Sequence, residues 1–92
     1  MAGVRLIIQF TTGSKEAADG EVQAMAERCR KAQQEPGCLQ FEVFRSELRP
    51  ETYALLEHWS SEQALEDHRA RGTGGSNPAI TRVREHYQHQ ED

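Results

Sequence analysis

The stretch TYALLEHWSSEQALEDHRAR, residues 52–71, changes its period with no loop in between. Up to Trp59 it alternates, with Tyr53, Leu55, Glu57 and Trp59 on one side and Ala54, Leu56 and His58 on the other, which is the period of a strand. From Ser60 onward the spacing is helical. Ser60 with Gln63 three positions later reads as a capping box, and Ala64, Leu65 and His68 return to one helix face. A strand that feeds straight into a helix leaves little room for the helix except across the sheet, so His68 is drawn toward the sheet with its apolar neighbours.

The rest of the chain repeats these two periods. In VRLIIQFTT, Val4, Leu6, Ile8 and Phe10 face one way, and Arg5, Ile7, Gln9 and Thr11 the other. A helix is expected from a cap at Ser14, with Glu16 in its first turn and a stop at Glu35-Pro36-Gly37; Val22, Met25, Ala26 and Cys29 form its buried stripe. Gly20 weakens its first turns. CLQFEVFR alternates again, opposing Leu39, Phe41 and Val43 to Gln40, Glu42 and Phe44, and the polar link SELRPE joins it to residues 52–59 as a hairpin. GTGGSN reads as a loop. After a cap at Asn77, Pro78 would start a last helix, because Ile80, Val83 and Tyr87 recur at helical spacing, whereas a strand would gather Ile80, Arg82 and Arg84 on one face. The closing QHQED reads as a loose tail.

These elements predict an α+β, ferredoxin-like βαββα(β) fold over residues 1–92 as one domain, with an antiparallel sheet and both helices on one face. The fourth strand is expected to be replaced by the C-terminal helix. Leu56 on one face of the third strand and Leu55 with Trp59 on the other mean that both faces need cover, and a homodimer packed sheet to sheet supplies it.

Charge and composition narrow the function. With 11 basic against 15 acidic residues and a formal charge of −4, no basic stripe exists to neutralise a phosphate backbone, so no nucleic acid is expected. The short apolar run LII cannot span a membrane and no cleavage pattern follows it, so the expected location is cytoplasmic. Cys29 and Cys38 fit neither a disulfide framework nor a zinc spacing and read as two reduced thiols. His58 and His68 lie on opposite sides of the sheet, so no metal is expected between them, and His86 and His89 read as solvated.

EPGCLQFEVFR followed by YALLEHWSSEQALEDHRA resembles the signature of the antibiotic biosynthesis monooxygenase family, with its Pro-Gly-Cys strand start, Glu-x-Trp strand exit and Ala-Leu-x-x-His helix. The resemblance runs from the first strand through Arg69. It implies a dimeric α+β barrel and oxidation of polycyclic phenols or quinols by dioxygen with no flavin or metal. Such chemistry asks the protein for a greasy pocket, a base and partners for a developing oxyanion. In this chain Trp59, Phe41 and Tyr53 would be the stacking walls, and His68 the base or proton carrier, since histidine ordinarily titrates near neutral pH. Glu57 is the other candidate base; its bland reading is a carboxylate paired across the sheet with Arg45 or Arg5.

Many relatives carry a second histidine in a Pro-His-Phe segment where this chain has GTGGSNPAI. That departure motivates an alternative, a non-catalytic binding or structural dimer of the same fold. A third reading is an aldolase or cyclase on polyketide-like substrates. The asparagine, tryptophan and histidine of the haem-degrading branch, placed without gaps, would fall near Gln9, His68 and Pro78, and none of the three matches.

Overall fold

The computed structural model describes residues 2–72 and 80–90. Its elements are β1 (Ala2–Thr11), α1 (Lys15–Ala32), β2 (Cys38–Arg45), β3 (Thr52–Trp59), α2 (Glu62–Ala70) and β4 (Thr81–Gln90). The four strands form one antiparallel sheet in the order β2-β3-β1-β4. Helix α1 packs on β2 and β3, and α2 on β1 and β3, so one face of the sheet carries both helices.

Alternation in the sequence becomes the two faces of this sheet. Val4, Leu6, Ile8 and Phe10 of β1 stand opposite Trp59, Glu57, Leu55 and Tyr53 of β3, and all eight are buried beneath the helices. Met25, Cys29, Ala18 and Ala32 of α1 and Leu65 and Ala64 of α2 close the core from above. Each fully buried aliphatic or aromatic side chain contributes roughly 1.5–3 kcal/mol, so this single layer carries most of the fold's stability. On the other face Arg5, Ile7, Gln9 and Thr11 align with His58, Leu56, Ala54 and Thr52. There Phe44 is 46% and Val83 56% exposed.

The helix starts follow local chemistry. Ser14 accepts a hydrogen bond from the Ala17 amide at 3.1 Å and caps α1. The cap of α2 is Ser61, one residue later than Ser60, and its hydroxyl accepts from the Ala64 amide at 3.1 Å. With Ser61 in the extended conformation the three-residue reach of the hydroxyl falls on Ala64, so the Ser60 and Gln63 box does not form. Instead the Ser60 amide donates to the Gly37 carbonyl at 2.8 Å, joining the strand exit to the start of β2.

Three further expectations are corrected. A register shift between Cys38 and Gln40 makes Leu39 the extra residue of a bulge, so Cys38 and not Leu39 shares a face with Phe41 and Val43; Leu39 is 56% exposed. The C-terminal segment is strand β4 and not a helix, and Gln88–Gln90 belong to it rather than to a loose tail. It pairs with β1 from Ala2↔Gln90 to Thr11↔Thr81. Without it the whole edge of β1 would present unpaired backbone groups, a demand that outweighs a short helical recurrence of apolar residues. His86 and His89 therefore lie in a paired strand. The cap at Asn77 and Pro78 and most of the GTGGSN loop lie outside the described residues.

Candidate functional site

The strand-to-helix junction that ends β3 gathers four of the five candidate side chains. Trp59, the last residue of β3, is wholly buried, and its indole N–H donates to Glu57 Oε1 at 2.9 Å. The two share a face because they are two residues apart on a strand. Phe41 of β2, directly opposite Glu57, meets the Trp59 ring edge-on with centroids 6.2 Å apart. His68, two turns into α2, comes down on both: its ring lies 4.9 Å from that of Trp59 and 5.3 Å from that of Phe41.

Tyr53 does not join them. Six residues back along β3, about 20 Å at the usual strand rise, it stacks on Phe10 at 4.9 Å and 10°. There it also borders a shallow cleft with Gln9, Phe44, Arg45 and Arg49 at the far end of the sheet.

Glu57 is 5% exposed, and its carboxylate accepts from the Trp59 indole and not from either arginine. Arg5 lies on the opposite face, where its guanidinium reaches Gln40 Oε1 at 3.4 Å. Arg45 is engaged by Asp19 at 2.8 Å and by the carbonyls of Pro50 and Lys15, and it holds the Asp19 carboxyl below its ordinary range, with Lys15 assisting. A buried carboxylate needs donors close by, and the neighbouring indole is the nearest that strand geometry offers.

Two residues that no sequence motif marks, Glu35 and Arg71, join His68. His68 Nδ1 lies 3.0 Å from Glu35 Oε2 and 3.1 Å from Oε1, and Arg71 Nη1 donates to Glu35 Oε1 at 2.8 Å. In the sequence Glu35 stands only as part of the helix stop before Pro36. The signal that could have found the pair is spacing: Arg71, the residue that caps α2, follows His68 by three, so both lie on the same side of its last turn. The turn carrying Glu35 is brought there by the close approach of Gly37 to Ser60 and Ala64. Nearby, burial pushes the Cys38 thiol up to about 11, with the Glu35 charge adding to it, and burial also raises Cys29. Both cysteines are free.

Among the described residues no three histidine, cysteine or acidic side chains are grouped to hold a metal ion. His58 sits on the outer face opposite Arg5 and Gln40, away from His68. Among the same residues no helix is long and apolar enough to cross a membrane.

A family model described as antibiotic biosynthesis monooxygenase matches residues 3–89. The chain belongs to this family. Three solved structures place the antibiotic biosynthesis monooxygenase fold beside others. A protein of Deinococcus radiodurans, provisionally assigned to the same family, is 22% identical with a TM-score of 0.79, covering 97% of this chain and 94% of that one. SnoaB of Streptomyces nogalater, a cofactor-independent oxygenase, is 15% identical with a TM-score of 0.69, over 98% and 95% of the two chains. The haem degrader MhuD of Mycobacterium tuberculosis is 22% identical with a TM-score of 0.67, over 97% of each. A comparison with curated proteins gave no match.

At these identities the structural likeness establishes the fold alone, and one fold hosts both oxygenase and haem degrader. The gap-free placement of the haem-branch triad is therefore a weak discriminator: a tryptophan and a histidine do stand in contact here, as Trp59 and His68. What the chain lacks is an asparagine on β1, since its single asparagine is Asn77.

Proposed function

We propose that this family member is a cytoplasmic homodimer that binds a small aromatic molecule, a quinol or phenolic compound of polyketide type, and oxygenates it without a cofactor. The observation that carries the reading is the placing of His68 against the aromatic walls Trp59 and Phe41, beside the buried carboxylate of Glu57.

In this reading the substrate approaches the His68 edge of the junction, with Trp59 and Phe41 backing the imidazole from the core, and His68 Nε2 takes its proton. The resulting phenolate or carbanion is electron-rich enough to pass an electron to dioxygen. Recombination puts one oxygen atom on the ring carbon and the other leaves as water, so that an anthrone CH2 and O2 become C=O and H2O. The protein's part is to orient the ring, move the proton and keep bulk water out. Glu57, already accepting from the indole, fixes the plane of Trp59. The far face of the sheet, with Ile7, Leu56, Phe44 and Val83, would be closed by the second subunit.

A second reading, the non-catalytic dimer, draws on how fully the junction is packed: His68 is 8% and Phe41 4% exposed. The deciding experiment supplies isotopically heavy dioxygen to the purified protein with a panel of anthrones and hydroquinones. One heavy oxygen in the product supports the oxygenase. Product without oxygen uptake identifies an aldolase or cyclase, binding without turnover identifies the non-catalytic dimer, and a haem titration with a shifted Soret band would move the protein to the haem branch.

A further inference from the structure

Glu35 lies in the turn between α1 and β2, outside both helices, yet its side chain reaches α2. Both its oxygens sit at 3.0–3.1 Å from His68 Nδ1, and Oε1 also receives Arg71 Nη1 at 2.8 Å. The His68 and Glu35 side chains are 11% and 18% exposed, while Arg71 is 49% exposed. An ionised carboxylate can only accept, so the ring nitrogen that faces it must be the one that carries hydrogen. In water a neutral histidine side chain prefers its proton on Nε2. The geometry here therefore works against the ring's own preference.

We propose that Glu35 is a positioning residue: it fixes His68 as the Nδ1–H tautomer, with Arg71 steadying the carboxylate, so that Nε2 is the basic nitrogen at the site. The inference rests on the reading of His68 as the proton acceptor for its use in catalysis, but not for its geometry. When Nε2 takes a proton, the positive charge formed on the ring faces the Glu35 carboxylate directly, and no proton needs to pass to Glu35. The same arrangement orients imidazoles in acid–base and metal sites generally, where the partner sets the tautomer. Trp59 and Phe41 hold the ring from its other sides, leaving the carboxylate as the charged group that selects the tautomer.

A purely structural role for the pair, tying α2 to the 33–37 turn, would affect stability and leave the tautomer alone. Nitrogen-15 NMR of histidine-labelled protein at pH 8 separates the two. Wild type is expected to show His68 with hydrogen on Nδ1 and a bare Nε2. In Glu35→Gln, whose amide can donate as well as accept, the Nε2–H form should appear, with the circular dichroism spectrum unchanged. Arg71→Ala should give a smaller shift in the same direction.

A wild-type His68 protonated on Nε2, or a tautomer unmoved in folded Glu35→Gln, overturns the proposal. Those results hold whether or not the protein turns over a quinol, so they are independent of the proposed activity. With an active substrate, Glu35→Gln should lower kcat about tenfold or more with KM nearly constant, Glu35→Asp should restore part of it, and neither change should act in a His68→Ala background. Full additivity with His68→Ala would contradict a role exerted through His68.

Discussion

Trp59 aims its single N–H at a carboxylate in the core, so the two residues stand or fall together. Trp59→Phe keeps a ring in place but strips Glu57 Oε1 of its donor, and the expected cost is about 1–3 kcal/mol for an unsatisfied buried acceptor, read as a lower urea midpoint by circular dichroism. Adding Glu57→Leu should recover part of that loss, because removing both partners of a buried bond is nearly neutral. Equal destabilisation in single and double variants would contradict the coupling. The sequence placed both residues on one covered face but assigned Glu57 an arginine partner. Alternation gives the face of a side chain; it does not say that the nearest donor belongs to the same strand, nor that Arg45 is already held by Asp19.

At the same scale, the Cys38 thiol, raised from 9.0 to about 11 mainly by burial, carries a pH dependence. A thiol whose folded value exceeds its unfolded one contributes stability that is fully present below about pH 9 and lost as pH rises through about 11. Its thiolate fraction at pH 8 is about 100-fold lower than in the unfolded chain, offset in part by the greater nucleophilicity of a more basic thiolate. Alkylation of Cys38 by iodoacetamide should therefore run about tenfold slower in native protein than in urea. Equal rates would show that burial does not protect it.

At the scale of elements, two glycines separate local from tertiary control. Gly37 has φ 81°, and a Cβ there would stand 2.7 Å from Ala64 Cβ and 2.8 Å from Ser60 Oγ, so Gly37→Ala is expected to destabilise by more than about 1 kcal/mol. Gly20, within α1 and with open space around it, should instead gain up to about 1 kcal/mol as Gly20→Ala. Thermal melts of the two variants should move in opposite directions. Five of the six elements were legible from period and caps, because each shows its own pattern within a few turns. The sixth was not: Thr81–Gln90 carries apolar residues at spacings that suit a helix, and what makes it a strand is the open edge of β1, far away in sequence. The bulge at Leu39 was hidden for the same reason, since it is defined only against β3.

For the whole molecule, the sheet face bearing Ile7, Leu56, Phe44 and Val83 is the one the proposed dimer would cover. A charge placed at its centre by Leu56→Arg should convert the proposed dimer to a folded monomer in size-exclusion chromatography with light scattering at micromolar protein. A wild-type monomer under the same conditions would contradict the dimer. The motif in the sequence led to the family and to Trp59, His68 and Glu57, which the fold does bring together. Glu35 and Arg71 stayed hidden because their connection crosses from the α1–β2 turn to the end of α2.

The most direct test is the rate of oxygen uptake with anthrones and hydroquinones by wild type and by His68→Ala. Substrate-dependent uptake in wild type that falls at least a hundredfold in the folded variant, about what a positioned acid–base group supplies, is the expected result. Uptake unchanged by the substitution would remove His68 from the chemistry, and no uptake by wild type with any member of the panel would contradict the oxygenase itself.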